Sequence, residues 1–158
     1  MQGKKERVCT NVLERVTPKK GERAKIEALA KELEKKVVSA SRELGVEAKV
    51  RVEGSVAKDT WLSGEPEIDI FMRVPTTMPR KSLGEICLKV ARKATTGSRQ
   101  IERFAEHPYL EAIVKNVIVN IVPCYAAERR EWISATDRTP YHTDYVKKHL
   151  NVKMQGEV

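Results

Sequence analysis

The sequence contains little that would indicate a membrane-bound, secreted or disulfide-linked protein. None of its apolar runs reaches the ~18 residues that a membrane-spanning helix requires, and the N-terminal stretch MQGKKERVCTNV lacks the apolar segment of a signal peptide. The three cysteines, Cys9, Cys87 and Cys124, are odd in number and far apart, which favours neither a disulfide framework nor a Cys-x-x-Cys metal site. We therefore expect a cytoplasmic protein with no membrane partner and with reduced thiols, Cys87 and Cys124 lying in the core.

Aromatic residues and histidines are also scarce. Only 5% of the chain is aromatic, and no stripe of alternating basic and aromatic residues suggests stacking on nucleic-acid bases. Trp61 and Tyr109 are therefore interpreted as core residues. The three histidines do not have the spacing of zinc ligands, so His107 is interpreted as structural and His142, taken alone, as a surface residue.

Basic residues, in contrast, are abundant. The 30 lysines and arginines exceed the 22 acidic residues and give a formal net charge of +8. A charge of this size attracts polyanions such as RNA at long range. It is equally typical of a surface that only keeps a small domain soluble.

The chain length and one long periodic segment predict a single domain with a long helix near its N-terminus. A length of 158 residues with 41% hydrophobic content suits one domain, residues 1–158. Thr17 and Pro18 supply a cap and a first helical residue, and Gly45 supplies a stop. The pattern predicts a helix over 18–44 whose buried stripe is Ile26, Leu29, Leu33, Val37, Ala40 and Leu44.

Shorter patterns predict a small mixed β-sheet flanked by helices, an α/β (α+β) fold. Alternating or apolar runs predict strands over 48–52, 67–74, 100–105, 109–114 and 117–122. Helical spacing or capping signals predict helices over 57–62, 81–93 and 141–150, and residues 151–158 show no pattern. Lys115 and Asn116 separate the last two strands and predict a hairpin with a two-residue turn.

The chemistry-bearing residues lie in the stretch GSVAKDTWLSGEPEIDIFMR, residues 54–73. Because side chains on a strand alternate between faces, Glu67 and Asp69 project together while Ile68 and Ile70 face a core. Two carboxylates on one strand can bind a divalent cation, and the Gly54-Ser55 turn can present a hydroxyl and backbone N–H groups to a phosphate. The alternative is that both acids lie on a solvated strand face. The combination favours nucleotide chemistry.

Residues 54–62 (GSVAKDTWL) and 67–71 (EIDIF) resemble the nucleotidyltransferase signature of the DNA polymerase beta superfamily, in the form carried by archaeal class I CCA-adding tRNA nucleotidyltransferases. The resemblance continues through AEHPY at 105–109, NIVPCY at 120–125 and DRTPYH at 137–142. It covers most of the chain, and four blocks in the same order are far more specific than a single short motif. The resemblance implies the catalytic head domain, a palm built on a small mixed sheet.

The same resemblance implies a reaction, a cofactor and a set of site residues. Family members add C, C and A to the tRNA 3′ end from CTP and ATP, without a template, using Mg²⁺. Glu67 and Asp69 match the metal ligands. The nucleotide-binding residues that match are Gly54, Ser55, Lys58, Thr139 and His142, where Lys58 often has an arginine counterpart. Taken without the resemblance, Ser55 and Thr139 read equally well as helix caps, and Lys58 as a solvated lysine.

Position 120 departs from the family pattern. Family members carry an aspartate there, as a third metal ligand that helps to deprotonate the 3′-hydroxyl, whereas Asn120 has no negative charge and cannot accept a proton. If Lys115 and Asn116 form a two-residue turn, Glu111 lies opposite Asn120 on the same face, so Glu111 is a candidate for the missing charge. The alternative is that Glu111 is an ordinary surface residue.

Three functions remain open from the sequence. The first is CCA addition to tRNA. The second is a catalytically impaired module that binds nucleotide or RNA as a regulator or subunit, and the third is a nucleotidyltransferase acting on another RNA or a protein. Members of the resembled family continue into central, body and tail domains, so we expect this chain to be a truncated, split or free-standing head domain that associates with such domains or with another subunit.

Overall fold

The computed structural model describes residues 2–150, which contain five α-helices, one 3₁₀ helix and five strands. The predicted lack of pattern in 151–158 lies outside the described residues. The helices are α1 Gln2–Val16, α2 Lys20–Glu43, α3 Gly54–Lys58, α4 Arg80–Ala94 and α5 Thr139–His149, and the 3₁₀ helix is Ala135–Arg138. The strands are β1 Lys49–Glu53, β2 Glu67–Val74, β3 Arg99–Phe104, β4 Pro108–Val114 and β5 Val117–Tyr125.

The strands form a single five-stranded mixed sheet in the order β1-β2-β5-β4-β3. Only β2 and β5 run parallel, and each of the other neighbouring pairs is antiparallel. The predicted α/β fold with a small mixed sheet and flanking helices is confirmed. The central pair β2 and β5 brings residues 67–74 beside residues 118–125, although some fifty positions of chain separate them.

One face of the sheet carries the core and the other carries the polar residues. On β2, Ile68, Ile70, Met72 and Val74 are fully buried in one cluster with the apolar stripes of α2 and α4. The intervening residues of β2 point to the opposite face because strand side chains alternate. The sheet therefore has an open face, and Glu67 and Asp69 lie on it.

The hairpin between β4 and β5 has the predicted two-residue turn. Lys115 and Asn116 have φ values of 50° and 63°, the left-handed backbone that a two-residue turn of type I′ requires. Val114 pairs with Val117, and this register places Glu111 opposite Asn120. The predicted pairing is therefore confirmed.

Several helix boundaries differ from the predictions. Pro18 does not begin α2, which starts at Lys20; it follows α1, because the residue before a proline disfavours helical backbone. The short helix begins at Gly54 instead of residue 57, and α5 begins at Thr139 instead of residue 141. Leu44 is not core but 45% exposed, since α2 ends just before it.

The first helix, α1, was not predicted. Its apolar side chains Val8 and Val12 are 57% and 49% exposed, so they do not produce a buried stripe that a sequence pattern could reveal. Helices that lack a buried face give no periodic signal. In residues 2–150, no helix combines the length and the apolar composition needed to cross a membrane.

Cys87 and Cys124 lie in the core, as predicted. Cys87 and Cys124 are buried, whereas Cys9 is exposed on α1, and all three are free thiols. Burial raises the pKa of Cys87 to about 12, so that thiol remains protonated at neutral pH. Trp61 is also buried, as predicted.

Candidate active site

The site is built on the parallel pair β2 and β5. Asp69 is the register partner of Asn120, and Glu67 precedes Asp69 by two residues on the same face. Asn120 is only 7% exposed, while Asp69 is half-buried and Glu67 is exposed. The sheet thus brings together three of the residues singled out from the sequence, Glu67, Asp69 and Asn120.

The side-chain amide of Asn120 connects the two carboxylates. Its Nδ2 donates to Glu67 Oε1 at 2.5 Å and to Asp69 Oδ1 at 3.0 Å. Its Oδ1 is buried and, among the residues that the structure describes, has no hydrogen-bond partner. A reversed amide would place an oxygen against two carboxylate oxygens, so the donor side of Asn120 is held toward the acids.

Burial is the main influence on the charge of Asp69. Desolvation raises the pKa of Asp69, and the negative charge of Glu67 raises it further. The hydrogen bond from Asn120 and the positive charge of Lys58 act in the opposite direction. A positive group beside Asp69 therefore stabilises the ionised form of this acid.

Gly54, the first residue of α3, allows the turn that begins this helix to contact Asp69 directly. Its φ of +71° lies in the left-handed region, and a Cβ at this position would overlap the Asp69 carboxylate. Only glycine meets both conditions at low cost. The turn therefore places Gly54 against Asp69, and α3, whose second residue is Ser55, packs against β2.

A cleft of about 260 Å³ opens beside Asp69 and Asn120. Tyr109 forms part of its wall and is only partly buried, so the interpretation of Tyr109 as a core residue is wrong. On β4 this tyrosine occupies the open face, two residues before Glu111. The lining residues are Gly54, Asp69, Phe71, Ala105, Tyr109, Asn120, Val122 and Thr139.

The sequence-predicted residues of α5 differ in their relation to this cleft. Thr139 lines it and makes no cap hydrogen bond, since it is already helical. His142 is exposed three residues further along α5 and is not part of the cleft wall. His107 is buried with its ring edge-on to Tyr125, as expected of a structural residue.

Glu111 faces the same side of the sheet as Asn120, but its carboxylate is already bound. Arg103 donates to it through Nη2 at 3.0 Å and through Nε at 3.2 Å. The negative charge of Glu111 is therefore balanced by a neighbouring guanidinium. The compensating role of Glu111 stays a prediction, and the ion pair with Arg103 weighs against it.

Glu53 is a residue of this region that the sequence reasoning missed. Its carboxylate is fully buried beneath α5, and Oε1 lies 3.0 Å from Nε of Arg51, which also bonds Asp144 of α5. Burial raises the pKa of Glu53. Because Glu53 directly precedes Gly54, this cluster connects the glycine turn with the helix that carries Thr139. The sequence feature that could have indicated this pair is the spacing of Arg51 and Glu53, two residues apart on β1 and therefore on one face of the strand.

Asp137 is the second residue that was missed. Its fully buried carboxylate accepts hydrogen bonds of 2.7–2.8 Å from the backbone N–H groups of Tyr125, Ile133 and Ser134 and from the Ser134 hydroxyl. It thereby fastens the end of β5 to the 3₁₀ helix that leads into α5. The sequence shows only an aspartate in the DRTPYH block, without any sign of burial.

Comparisons with known proteins agree with this geometry. A family model described as a nucleotidyltransferase domain matches residues 28–149. A CCA-adding enzyme of Methanosarcina barkeri is 40% identical over 142 residues, covering 88% of this chain and 31% of that enzyme. A CCA-adding enzyme of Halobacterium salinarum is 37% identical over 152 residues, covering 96% of this chain and 33% of that enzyme. The chain thus spans about a third of the length of these relatives.

Solved structures share the fold at low sequence identity. A cytoplasmic RNA terminal U-transferase superimposes with a TM-score of 0.65 at 12% identity, over 94% of this chain and 40% of its own. The CdnC protein of E. coli MS115-1, solved with ATP, superimposes with a TM-score of 0.62 at 20% identity, over 85% of this chain and 48% of its own. At these identities the likeness shows the fold alone.

Proposed function

This chain belongs to the nucleotidyltransferase domain family, and we propose that it transfers CMP and AMP from CTP and ATP to the 3′ end of tRNA. The proposal follows the CCA-adding relatives, which are 35–40% identical to nearly all of this chain. The observation that carries it is the placement of Glu67 and Asp69 on one face of β2, with Asp69 lining a cleft and lying against Gly54.

The two carboxylates suit a hard divalent cation such as Mg²⁺, which takes oxygen ligands and binds proteins through one or two carboxylates together with substrate phosphates. We assign that role to Glu67 and Asp69. A cation held there would neutralise phosphate charge during transfer. The raised pKa of Asp69 supports the assignment, because burial disfavours the ionised carboxylate and a cation beside it would offset that cost.

The remaining residues bind and orient the nucleotide. The Ser55 hydroxyl donates to a phosphate oxygen, and Lys58 supplies positive charge, which it already exerts on Asp69. Lysine lacks the two-pronged donor geometry of arginine, so Lys58 contributes charge more than orientation. Thr139 contacts the bound nucleotide from the cleft wall. His142 is exposed and lies outside the cleft wall, so its ring contacts the nucleotide only after turning toward the cleft.

Transfer joins the tRNA 3′-oxygen, whose proton passes to solvent, to the α-phosphorus of the nucleotide, while the bond from that phosphorus to the bridging oxygen breaks and pyrophosphate leaves. The protein's contribution is positioning and charge stabilisation. The net charge of +8 favours the approach of tRNA. Because the relatives are about three times as long, we propose that firm tRNA binding and base selection need further domains, in the same polypeptide or a partner subunit, and that the protein works in the cytoplasm.

Incubating the protein with tRNA that ends before CCA, labelled CTP and Mg²⁺ tests this function. The wild type incorporates label, Asp69→Asn does not, and the control Glu102→Gln, which loses only an exposed ion pair with Arg92 outside the cleft wall, retains activity. Label retained by Asp69→Asn would show that the reaction occurs elsewhere. No label with the wild type, even after addition of the further domains of a relative, would refute the proposal.

One observation favours a second function, an inactive module that binds nucleotide or RNA. Asn120 has no charge, and its amide already satisfies Glu67 and Asp69. In that case the wild type binds CTP without incorporating it. Activity gained by Asn120→Asp would then identify the missing carboxylate as the cause.

A further inference from the structure

The protein supplies two carboxylates around Asn120, and these alone balance the charge of one divalent cation. Glu67 and Asp69 supply two negative charges, and within residues 2–150 no group of three or more His, Cys, Asp or Glu side chains is placed to hold a metal ion. Two-cation sites hold their ions roughly 3.5–4 Å apart, where mutual repulsion is strong and additional anionic ligands are required. The protein part of this site suffices for one cation.

The acids on the strands beside Asp69 and Asn120 already lie against arginines. Glu111 accepts two hydrogen bonds from Arg103. Glu53, the β1 neighbour of Asp69, is fully buried and lies against Arg51. To reach the cleft, Glu111 would have to break its ion pair with Arg103, and Glu53 would have to leave its buried position beside Arg51. The third ligand group in reach is therefore Asn120 itself.

Asn120 already performs part of the work of a cation. Both hydrogens of its amide point at carboxylate oxygens, one at Glu67 and one at Asp69. This donor pair lowers the repulsion between the two acids, because an N–H group lies between oxygens that would otherwise face each other. The buried Oδ1, which lacks a partner in the described part of the chain, is the one oxygen that Asn120 could offer a ligand.

We infer that this site takes a single divalent cation, brought by the nucleotide triphosphate and held by Glu67 and Asp69, and that the Asn120 amide takes the place of a second cation between them. The inference rests on the proposed function, because the triphosphate supplies the missing anionic oxygens. It implies that the free protein binds divalent cations weakly, since the amide already occupies one oxygen of each carboxylate. It also implies that an acid at position 120 converts the site to one that holds two.

Counting Mn²⁺ ions tests the inference without any turnover. The protein is saturated with a CTP analogue whose α–β bridging oxygen is replaced by methylene, and bound Mn²⁺ is measured by electron paramagnetic resonance. The wild type and the control Glu102→Gln, which loses only an exposed ion pair with Arg92, should each bind one Mn²⁺ per nucleotide, with the spectrum of an isolated ion. Asn120→Asp should bind two, with the spin-exchange signature of a close pair.

Each outcome decides the matter. Two coupled Mn²⁺ ions in the wild type would overturn the inference, and so would one ion in both the wild type and a folded Asn120→Asp. If Asn120→Asp does not fold, as judged by circular dichroism, the wild-type count still decides, because a coupled pair there contradicts the inference. The incorporation assay is independent: a protein that binds one Mn²⁺ with the analogue but transfers nothing sustains the single-cation site and refutes the proposed function.

Discussion

The amide nitrogen of Asn120 lies 2.5 Å from a carboxylate oxygen of Glu67, although the two residues are on different strands and far apart in sequence. A second hydrogen bond joins the same nitrogen to Asp69. The cluster is therefore held together by a neutral donor before any cation binds. This arrangement makes the stability of the metal-free protein depend on Asn120.

We expect Asn120→Asp to lower the free energy of unfolding by about 2–4 kcal/mol in EDTA, because two hydrogen bonds to charged groups are replaced by contacts between like charges. Saturating Mg²⁺ should restore part of the loss. Urea denaturation at neutral pH with EDTA or Mg²⁺ measures both values. Glu111→Gln, which loses only an exposed ion pair, should change stability by less than about 1 kcal/mol. Equal losses in EDTA and Mg²⁺ would contradict this account of the cluster.

Gly54→Ala should abolish nucleotide incorporation and destabilise the protein more than Gly45→Ala. Both glycines have left-handed backbone, with φ values of +71° and +66°, and an alanine there costs about 1–2 kcal/mol. Only at Gly54 would the added Cβ overlap Asp69, whereas nothing lies within 4 Å at Gly45. The difference between the two variants, measured by thermal denaturation, isolates the contact with Asp69. Equal losses of stability would show that the contact is unimportant.

Acidification should destabilise the protein partly through His107. Burial lowers the pKa of His107, and Arg80 lowers it further, against the opposing charges of Glu106 and Asp137. Below the ordinary histidine pKa, about 6.5, the unfolded chain therefore takes up a proton before the folded one does, and stability falls. His107→Phe should flatten the decrease in melting temperature between pH 7.5 and 5.5. An unchanged slope would show that His107 is not responsible.

Asp137→Asn should cost about 2–4 kcal/mol, because the amide NH₂ group meets backbone N–H donors where a carboxylate oxygen now accepts them. Ser134→Ala removes only one hydrogen bond to the same carboxylate and should cost about 1 kcal/mol. Urea denaturation of both variants gives the comparison. If Asp137→Asn proves as mild as Ser134→Ala, the carboxylate does not fasten β5 to the 3₁₀ helix as the contacts suggest.

The local features of the fold could be predicted from the sequence, since they depend on neighbouring residues. The alternation along β2 placed Glu67 and Asp69 on one face, and the two-residue turn at Lys115 and Asn116 fixed the register of Glu111 with Asn120. Both predictions rest on period and turn geometry, which are properties of short segments. The resemblance to a family then identified the chemistry.

The features that could not be predicted depend on the order of the strands. The parallel pairing of β2 with β5 brings the Asn120 amide to both acids, and no local pattern specifies that neighbour. Tyr109 was wrongly predicted to lie in the core, because no local pattern shows which face of β4 the helices leave uncovered. Glu53 is buried beneath α5, which is distant from it in sequence. Asp137 is buried within the irregular segment that precedes α5, where no periodic pattern indicates burial.

A crystal structure of the wild-type protein with Mn²⁺ and the methylene-bridged CTP analogue tests the central claim most directly. The anomalous difference map should show one Mn²⁺ between Glu67, Asp69 and the triphosphate, with Asn120 Nδ2 still beside a carboxylate. A nucleotide bound away from the Gly54 turn, or no anomalous peak at Glu67 and Asp69, would contradict the assignment of the site. Two peaks there would retain the site and contradict the role given to Asn120.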